Sequence, residues 1–261
     1  MKAKPRPIVF LHLPKTGGQT VHHAIGAVVG AENISPVRVH WALPDDGVTF
    51  PPGYRFHSGH LEWHDLEQIP DNPFSFMVLR APRERLGSQY FYMRRKAEEK
   101  AAAQGQAALN KIEQQLVGPT PAFFFRFGTM LTPVVRRRWA NLTTHYLCFR
   151  TLNPTRAQTR TNGAQRIADA LKGAKVLSAL YRPQDFGQLE TDIAVLTGTR
   201  PQITGKDSNA GPLEPSRSRW GTLLERFEKD GQIRAMEQLV ELDEELMSKL
   251  TFRSSGESNI G

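Results

Sequence analysis

The chain of 261 residues has a single cysteine, Cys148. No intrachain disulfide can form, and a cysteine-rich metal site is excluded. Long apolar runs are missing too, since no stretch approaches the roughly 20 residues a membrane-crossing helix needs. The basic start, Met1 to Pro7, leads into an apolar run, Ile8 to Leu13, that is too short for the h-region of a secretory signal. That run reads as a strand, and the expected compartment is the cytoplasm. There is no internal repeat. Acidic residues are in deficit, with 26 Asp and Glu against 34 Lys and Arg, for a formal net charge of +8. Such an excess fits an anionic ligand: a nucleotide, a sulfated or uronic polymer, nucleic acid or an anionic surface. Charge does not choose among these. With 39% hydrophobic and 23% charged residues, the chain has the composition of a globular protein. Its length suits one domain with a substantial core.

The richest stretch is Ile8-Val-Phe-Leu-His-Leu-Pro-Lys-Thr-Gly-Gly-Gln-Thr20. An apolar strand stops at Pro14, and a Lys, a Thr and two glycines follow before a helix from about Gln19. A glycine turn that opens a helix makes an anion site: the backbone comes close, N–H groups point at the ligand and the helix dipole favours negative charge. Lys15 adds a full charge. The order is not that of a Walker A loop, whose Lys follows the second Gly.

Strands and helices alternate along the chain. Strands are expected at Ile8 to Leu13, Phe74 to Leu79 and Lys175 to Tyr181. Helices are expected at Gln19 to Val29, Pro82 to about Lys100, Ala164 to Leu171, Phe186 to Leu196 and, strongly amphipathic, Ile233 to Leu250. In the second of these, Leu86, Tyr90 and Met93 recur at helical spacing as a core face. Asn141 to Phe149 reads as a helix or ordered connection. The Ala/Gln-rich stretch 101–116 reads as a solvated helix that Gly105 interrupts weakly, and 201–215 as a loop. This order predicts an α/β fold with a parallel sheet between two helical layers. One domain is expected over 1–261, with 96–140 a variable helical insertion and 252–261 a frayed tail.

A second site candidate lies at Val78-Leu-Arg-Ala-Pro-Arg-Glu-Arg-Leu-Gly-Ser-Gln-Tyr-Phe-Tyr92. Arg80 follows a buried strand, at the sheet edge where ligands of open α/β folds collect. Ser88 stands eight residues on, within the next helix. A guanidinium fork and a hydroxyl suit a phosphate.

His12 to Thr20 resembles the 5′-phosphosulfate loop of the sulfotransferases, most closely the branch of bacterial family members and heparan sulfate 2-O-sulfotransferases. Gln19 stands where Thr or Ser is commoner in that loop. Arg80, Pro82, Arg85, Ser88 and Tyr90 resemble the family's 3′-phosphate motif, with Ala81 in place of the usual Asp. Asn141 to Cys148, Lys175 to Leu189 and Glu237 to Leu250 are similar to later family segments, whereas 96–140 matches nothing in the pattern and is a candidate for acceptor specificity. The resemblance implies a P-loop-like α/β/α fold and the donor 3′-phosphoadenosine 5′-phosphosulfate (PAPS), released as adenosine 3′,5′-bisphosphate (PAP), with no metal required. Lys15, Thr16, Gly17, Gly18, Gln19 and Thr20 would hold the sulfated end of the donor, and Arg80 and Ser88 its 3′-phosphate. Sulfuryl transfer needs a cation on the leaving oxygen and a base for the acceptor hydroxyl. Lys15 is the candidate cation. Phe56-His-Ser-Gly-His-Leu61 resembles the His-Gly-His region of the 2-O-sulfotransferases, whose second His is the base. That makes His60 the candidate base, with His64 and Glu62 behind it and His12 structural. The implied acceptor is a saccharide hydroxyl.

Two other classes stay open. One is a nucleotide-dependent phosphotransferase with a variant P-loop. The other is a non-catalytic binder of anionic glycans. Arg136 to Arg138 reads as a solvated basic face rather than a nucleic-acid contact, and Phe123 to Phe125 as core or as the floor of an acceptor pocket.

Overall fold

A computed structural model describes residues 5–40, 43, 47–125, 139–205, 217–254 and 256. The elements run β1 (Ile8–Leu11), α1 (Gly18–Val29), β2 (Phe56–Gly59), β3 (Phe74–Val78), α2 (Pro82–Gln104), α3 (Lys111–Leu116), α4 (Pro121–Phe125) and α5 (Leu142–Phe149). Then follow α6 (Gly163–Val176), β4 (Ala179–Tyr181), α7 (Phe186–Thr197), α8 (Arg219–Leu224), α9 (Asp230–Gln238) and α10 (Glu241–Lys249). Among the described residues no helix is long and apolar enough to cross a membrane.

The four strands form one all-parallel sheet in the order β2-β1-β3-β4. Ile8 lies opposite Phe56 on one side and Phe74 on the other. The strands are apolar almost without interruption because both faces are covered, as a parallel sheet requires. Their side chains alternate between two cores. Ile8, Phe10, Phe56, Phe76, Val78 and Tyr181 face α1 and α7 through Val21, Ile25, Leu189 and Ile193. Val9, Leu11, Met77 and Leu180 face α5, α6 and α10 through Tyr146, Leu147, Ile167 and Leu246. Each such large side chain contributes about 1.5–3 kcal/mol by leaving water. A third core lies off the sheet, where Leu86 and Tyr90 of α2 meet Phe124, Phe125, Trp139, Trp220 and Met236. Phe124 and Phe125 belong to this core, while Phe123 is exposed.

The order places the crossover where it matters. From β1 the chain moves outward to β2, and from β3 it moves the other way to β4. The carboxyl ends of β1 and β3 therefore flank the point where the connections diverge, which is where open sheets leave a crevice for ligands. The candidate phosphate loop follows β1, and Arg80 follows β3.

Several elements depart from expectation. Phe56–Gly59 forms a strand within a stretch the sequence left unassigned. The strand expected from Lys175 is only Ala179–Tyr181, because α6 continues to Val176. Gly105, at φ 84°, ends α2 outright, and Leu109 and Leu116 beyond it are buried rather than solvated. The single amphipathic helix expected over 233–250 is two helices, broken at Leu239 and Val240. Asn141 explains the break. Its N–H donates to Leu239 O at 2.7 Å and its side-chain oxygen accepts the N–H of Leu242 at 2.9 Å. The tail expected to fray from 252 is pinned at its start: Arg253 N donates to Leu180 O at 2.9 Å, and its guanidinium pairs with Asp192. Arg136 to Arg138, most of the 201–215 loop and residues 257–261 lie outside the described residues.

Candidate anion-binding site at the carboxyl edge of the sheet

The loop after β1 turns sharply. Lys15 and Gly17 both adopt positive φ, 69° and 86°. Only glycine does so without strain, so Lys15 is held there by its surroundings. The helix α1 starts at Gly18 with Gly17 as its N-cap, no capping side chain and no acidic residue in its first turn. Glycine has no side chain to cap the first N–H groups, which carry the positive end of the helix dipole. A Cβ on Gly18 would fall 2.0 Å from the His12 ring, so only glycine lets that ring lie against the helix start. Thr16 is fully buried and its hydroxyl donates to Leu13 O at 3.0 Å. That hydroxyl is spent on the turn itself. Gln19 is exposed and Thr20 buried.

Around Lys15 the charges are of one sign. Its Nζ lies 4.0 Å from the centre of the Tyr92 ring, a cation–π contact. Burial first, then Arg95, Arg80 and Arg219, push its pKa down to about 8. Glu84 lies 3.7 Å from Arg80, and its carboxylate is largely claimed elsewhere. It accepts the Ser218 hydroxyl and the N–H groups of Arg219 at 3.1 Å and Trp220 at 3.2 Å. Those bonds dock the 218–220 segment on α2. Gly87 permits the close fit, because a Cβ there would lie 2.8 Å from the Arg219 carbonyl carbon.

Tyr92, Arg95 and Arg219 were not read from the sequence. Ser88, Tyr92 and Arg95 follow each other at i, i+4 and i+7, one face of α2, and that spacing was legible. Arg219 arrives from a distant segment with no sequence signal. Arg85, which matched the phosphate motif, points elsewhere: it is fully buried and its guanidinium donates to Trp139 O at 3.3 Å.

On the β2 side the site is lined by imidazoles. His60 Nδ1 donates to His12 O at 2.8 Å, and the two rings stack with centroids 4.8 Å apart. A carbonyl only accepts, so the bond fixes the proton on Nδ1 and leaves the lone pair on Nε2. Burial holds the His60 pKa below its usual value, the His12 carbonyl opposes this and Arg38 adds to it. A neutral imidazole with its lone pair on Nε2 is the form a general base requires. His12 is held neutral more strongly, by burial and then by His60, Arg38, His22 and Lys15. That sequence of neighbours runs from the lysine loop to His60. His64 is exposed, and Glu62 accepts the Thr151 hydroxyl. His57 lies under Phe50; alternation along β2 puts it on the opposite face from Ser58.

Ser58, His22 and Arg38 make a chain that resembles a nucleophilic triad but runs backwards. The Arg38 guanidinium donates to His22 Nε2 at 2.6 Å. His22 Nδ1 therefore carries the proton and donates to Ser58 Oγ at 2.8 Å. Burial and Arg38 hold the His22 pKa down, at about 4. Ser58 receives a proton bond from His22 and is not activated by it.

Fold and site together define an α/β protein with an all-parallel sheet, a cluster of cations at the carboxyl ends of β1 and β3, and a neutral imidazole, His60, stacked on the strand end that leads into the lysine loop. A scan against protein-family models gave no match, and a search of curated proteins found none that matched significantly.

Proposed function

We propose that this protein is a sulfotransferase of P-loop-like fold, which moves a sulfuryl group from PAPS to an acceptor hydroxyl and releases PAP. The observation that carries this reading is the meeting of Lys15 and Arg80, from two distant motifs, at the diverging ends of β1 and β3, with Arg95 and Arg219 close enough to lower the lysine's pKa. Cations collected with so little carboxylate among them suit a ligand of several negative charges. A nucleotide with phosphate at both its 3′ and 5′ positions is such a ligand. In this reading the start of α1 and Lys15 take the 5′ end, and Arg80 with Ser88 takes the 3′-phosphate.

The chemistry follows from the same groups. The acceptor oxygen bonds to sulfur as the bond from sulfur to the phosphate oxygen breaks. The acceptor proton passes to His60 Nε2, and the charge gathering on the leaving oxygen meets the Lys15 ammonium. No group in this scheme is oxidised or reduced. A saccharide acceptor rests on the sequence resemblance. The variant P-loop reading loses support from Thr16, whose hydroxyl is turned inward to Leu13 O.

Calorimetric titration with PAP, against adenosine 5′-monophosphate and ATP, tests the donor. PAP should bind at least about tenfold more tightly than either, since hydrogen bonds to charged groups contribute about 1.5–3 kcal/mol, and Arg80→Ala should erase the preference. Equal affinities would sink the reading. His60→Ala should keep PAP binding and lose about 10²–10⁴ in turnover.

A further inference from the structure

Among the described residues the Lys15 ammonium makes no hydrogen bond and no ion pair. What it meets is an aromatic ring. Its Nζ lies 4.0 Å from the centre of Tyr92, well inside the roughly 6 Å over which a cation and a ring face attract. The Arg95 guanidinium carbon lies 5.9 Å from the same ring centre, so one ring attends two cations. Lys15 and Tyr92 are both half-buried, and the ring stands where water would otherwise solvate the ammonium.

The two partners differ in stiffness. Lys15 sits in a glycine turn with its backbone at φ 69°, a conformation that a side-chain-bearing residue keeps only where its surroundings impose it. Tyr92 lies in the middle of α2, a helix of 23 residues. Ser88 stands one turn earlier on the same face. The contact therefore registers the loop after β1 on the helix that follows β3. It does so through the ring, because the Tyr92 hydroxyl makes no hydrogen bond among the described residues. Burial and the three arginines all work against a charged Lys15. The negative face of the ring works for it.

We propose that Tyr92 is a positioning residue whose ring face holds the Lys15 ammonium charged and aimed at the leaving oxygen of the donor. The inference rests on Lys15 serving the donor site. The ring engages one side of a group with three N–H donors and leaves the other side for an anionic oxygen.

The test follows lysine side chains by ¹³C NMR in the full chain without ligand, with the Lys15 signal identified by its loss in Lys15→Gln. The Lys15 ε protons should lie upfield of those of the other lysines, displaced by the ring current of Tyr92. Tyr92→Leu, which keeps an apolar cover but no ring, should abolish that displacement and lower the Lys15 titration midpoint by about one pH unit. Tyr92→Phe should keep both. With PAP as probe, Tyr92→Leu should bind within about twofold of the unaltered protein at about pH 6, where Lys15 is charged in each, and about tenfold more weakly at about pH 8.5. An unchanged midpoint in Tyr92→Leu would overturn the proposal, even with a lower melting temperature, since the ring would then only pack. So would a Tyr92→Phe protein whose midpoint moves as far as that of Tyr92→Leu. A loss of PAP affinity equal at both pH values would also overturn it, because the ring would be acting on shape and not on charge. Undisplaced ε protons in the unaltered protein would do the same, whichever variants fold. If PAP binds to no form but the midpoint still moves with the ring, the donor reading falls and the hold of Tyr92 on Lys15 stands.

Discussion

At the β4 edge of the sheet, Asp192 is almost fully buried and surrounded by donors. Tyr181 gives it a hydroxyl bond, Gln188 an amide bond at 2.9 Å, and Arg253 a guanidinium fork. Burial, then Asp192, pushes the Tyr181 pKa far up, so the hydroxyl stays a donor. At the carboxyl ends of β1 and β3, Lys15 has a tyrosine ring and three arginines for neighbours. Both regions withdraw charge from water. The first is closed within the chain and ties residue 253 to the sheet. In the second, among the described residues, every charge acting on Lys15 is an arginine, and the carboxylate of Glu84 lies 3.7 Å from Arg80. The difference sets a structural ion pair apart from a cluster of cations of the kind a binding site would use.

Removing the acceptor from the closed region should have the largest effect. Asp192→Ala takes the carboxylate away from the largely buried Arg253 guanidinium and strips Tyr181 and Gln188 of a partner, so urea denaturation should register a loss of about 3–5 kcal/mol. PAP affinity of the folded fraction should not change. A comparable loss of PAP affinity would mean the two regions are one.

In the cation cluster, pH should act oppositely on binding and on stability. Lys15 titrates near 8 in the folded chain, against an ordinary value of 10.5. Only the protonated form attracts phosphate. PAP affinity should hold below about pH 8 and fall about tenfold per unit above it, with a proton taken up on binding, visible as a buffer-dependent heat. Because the unfolded chain binds the Lys15 proton more tightly, this residue's contribution to stability should rise across the same window. Lys15→Gln should flatten both profiles; a slope that survives belongs to another group.

The smallest effect is expected at Ser88, half-buried on α2 beside Tyr92. Ser88→Ala should cost about 0.5–1.5 kcal/mol of PAP affinity and leave thermal stability in place. Loss of stability instead would move Ser88 from the site into the packing.

Much of the frame was legible because its signals are local. The apolar run from Ile8, the glycines at 17 and 18, and Pro82 at the start of α2 each act within a few residues, and the strands and helices they mark are there. The face of α2 carrying Ser88, Tyr92 and Arg95 was also open to reading, from its spacing alone. The break at Leu239 and Val240 was not, since an amphipathic stripe continues through it and only Asn141, about a hundred residues earlier, claims the backbone there. Arg38 sat in a stretch with no periodicity, and Arg219 in a basic segment that resembled any solvated loop.

The sequence alone thus determined the α/β alternation, the net positive charge, and the two short motifs with residues suited to phosphate, because propensity, periodicity and turn chemistry are properties of neighbours along the chain. Tertiary structure decided the rest: the strand order that sets Lys15 beside Arg80, the carbonyl that fixes the His60 tautomer, and which buried charges of the described residues meet a carboxylate. Those outcomes depend on distances between segments far apart in sequence, and electrostatic and hydrogen-bond energies are set by such distances and by the water excluded around them.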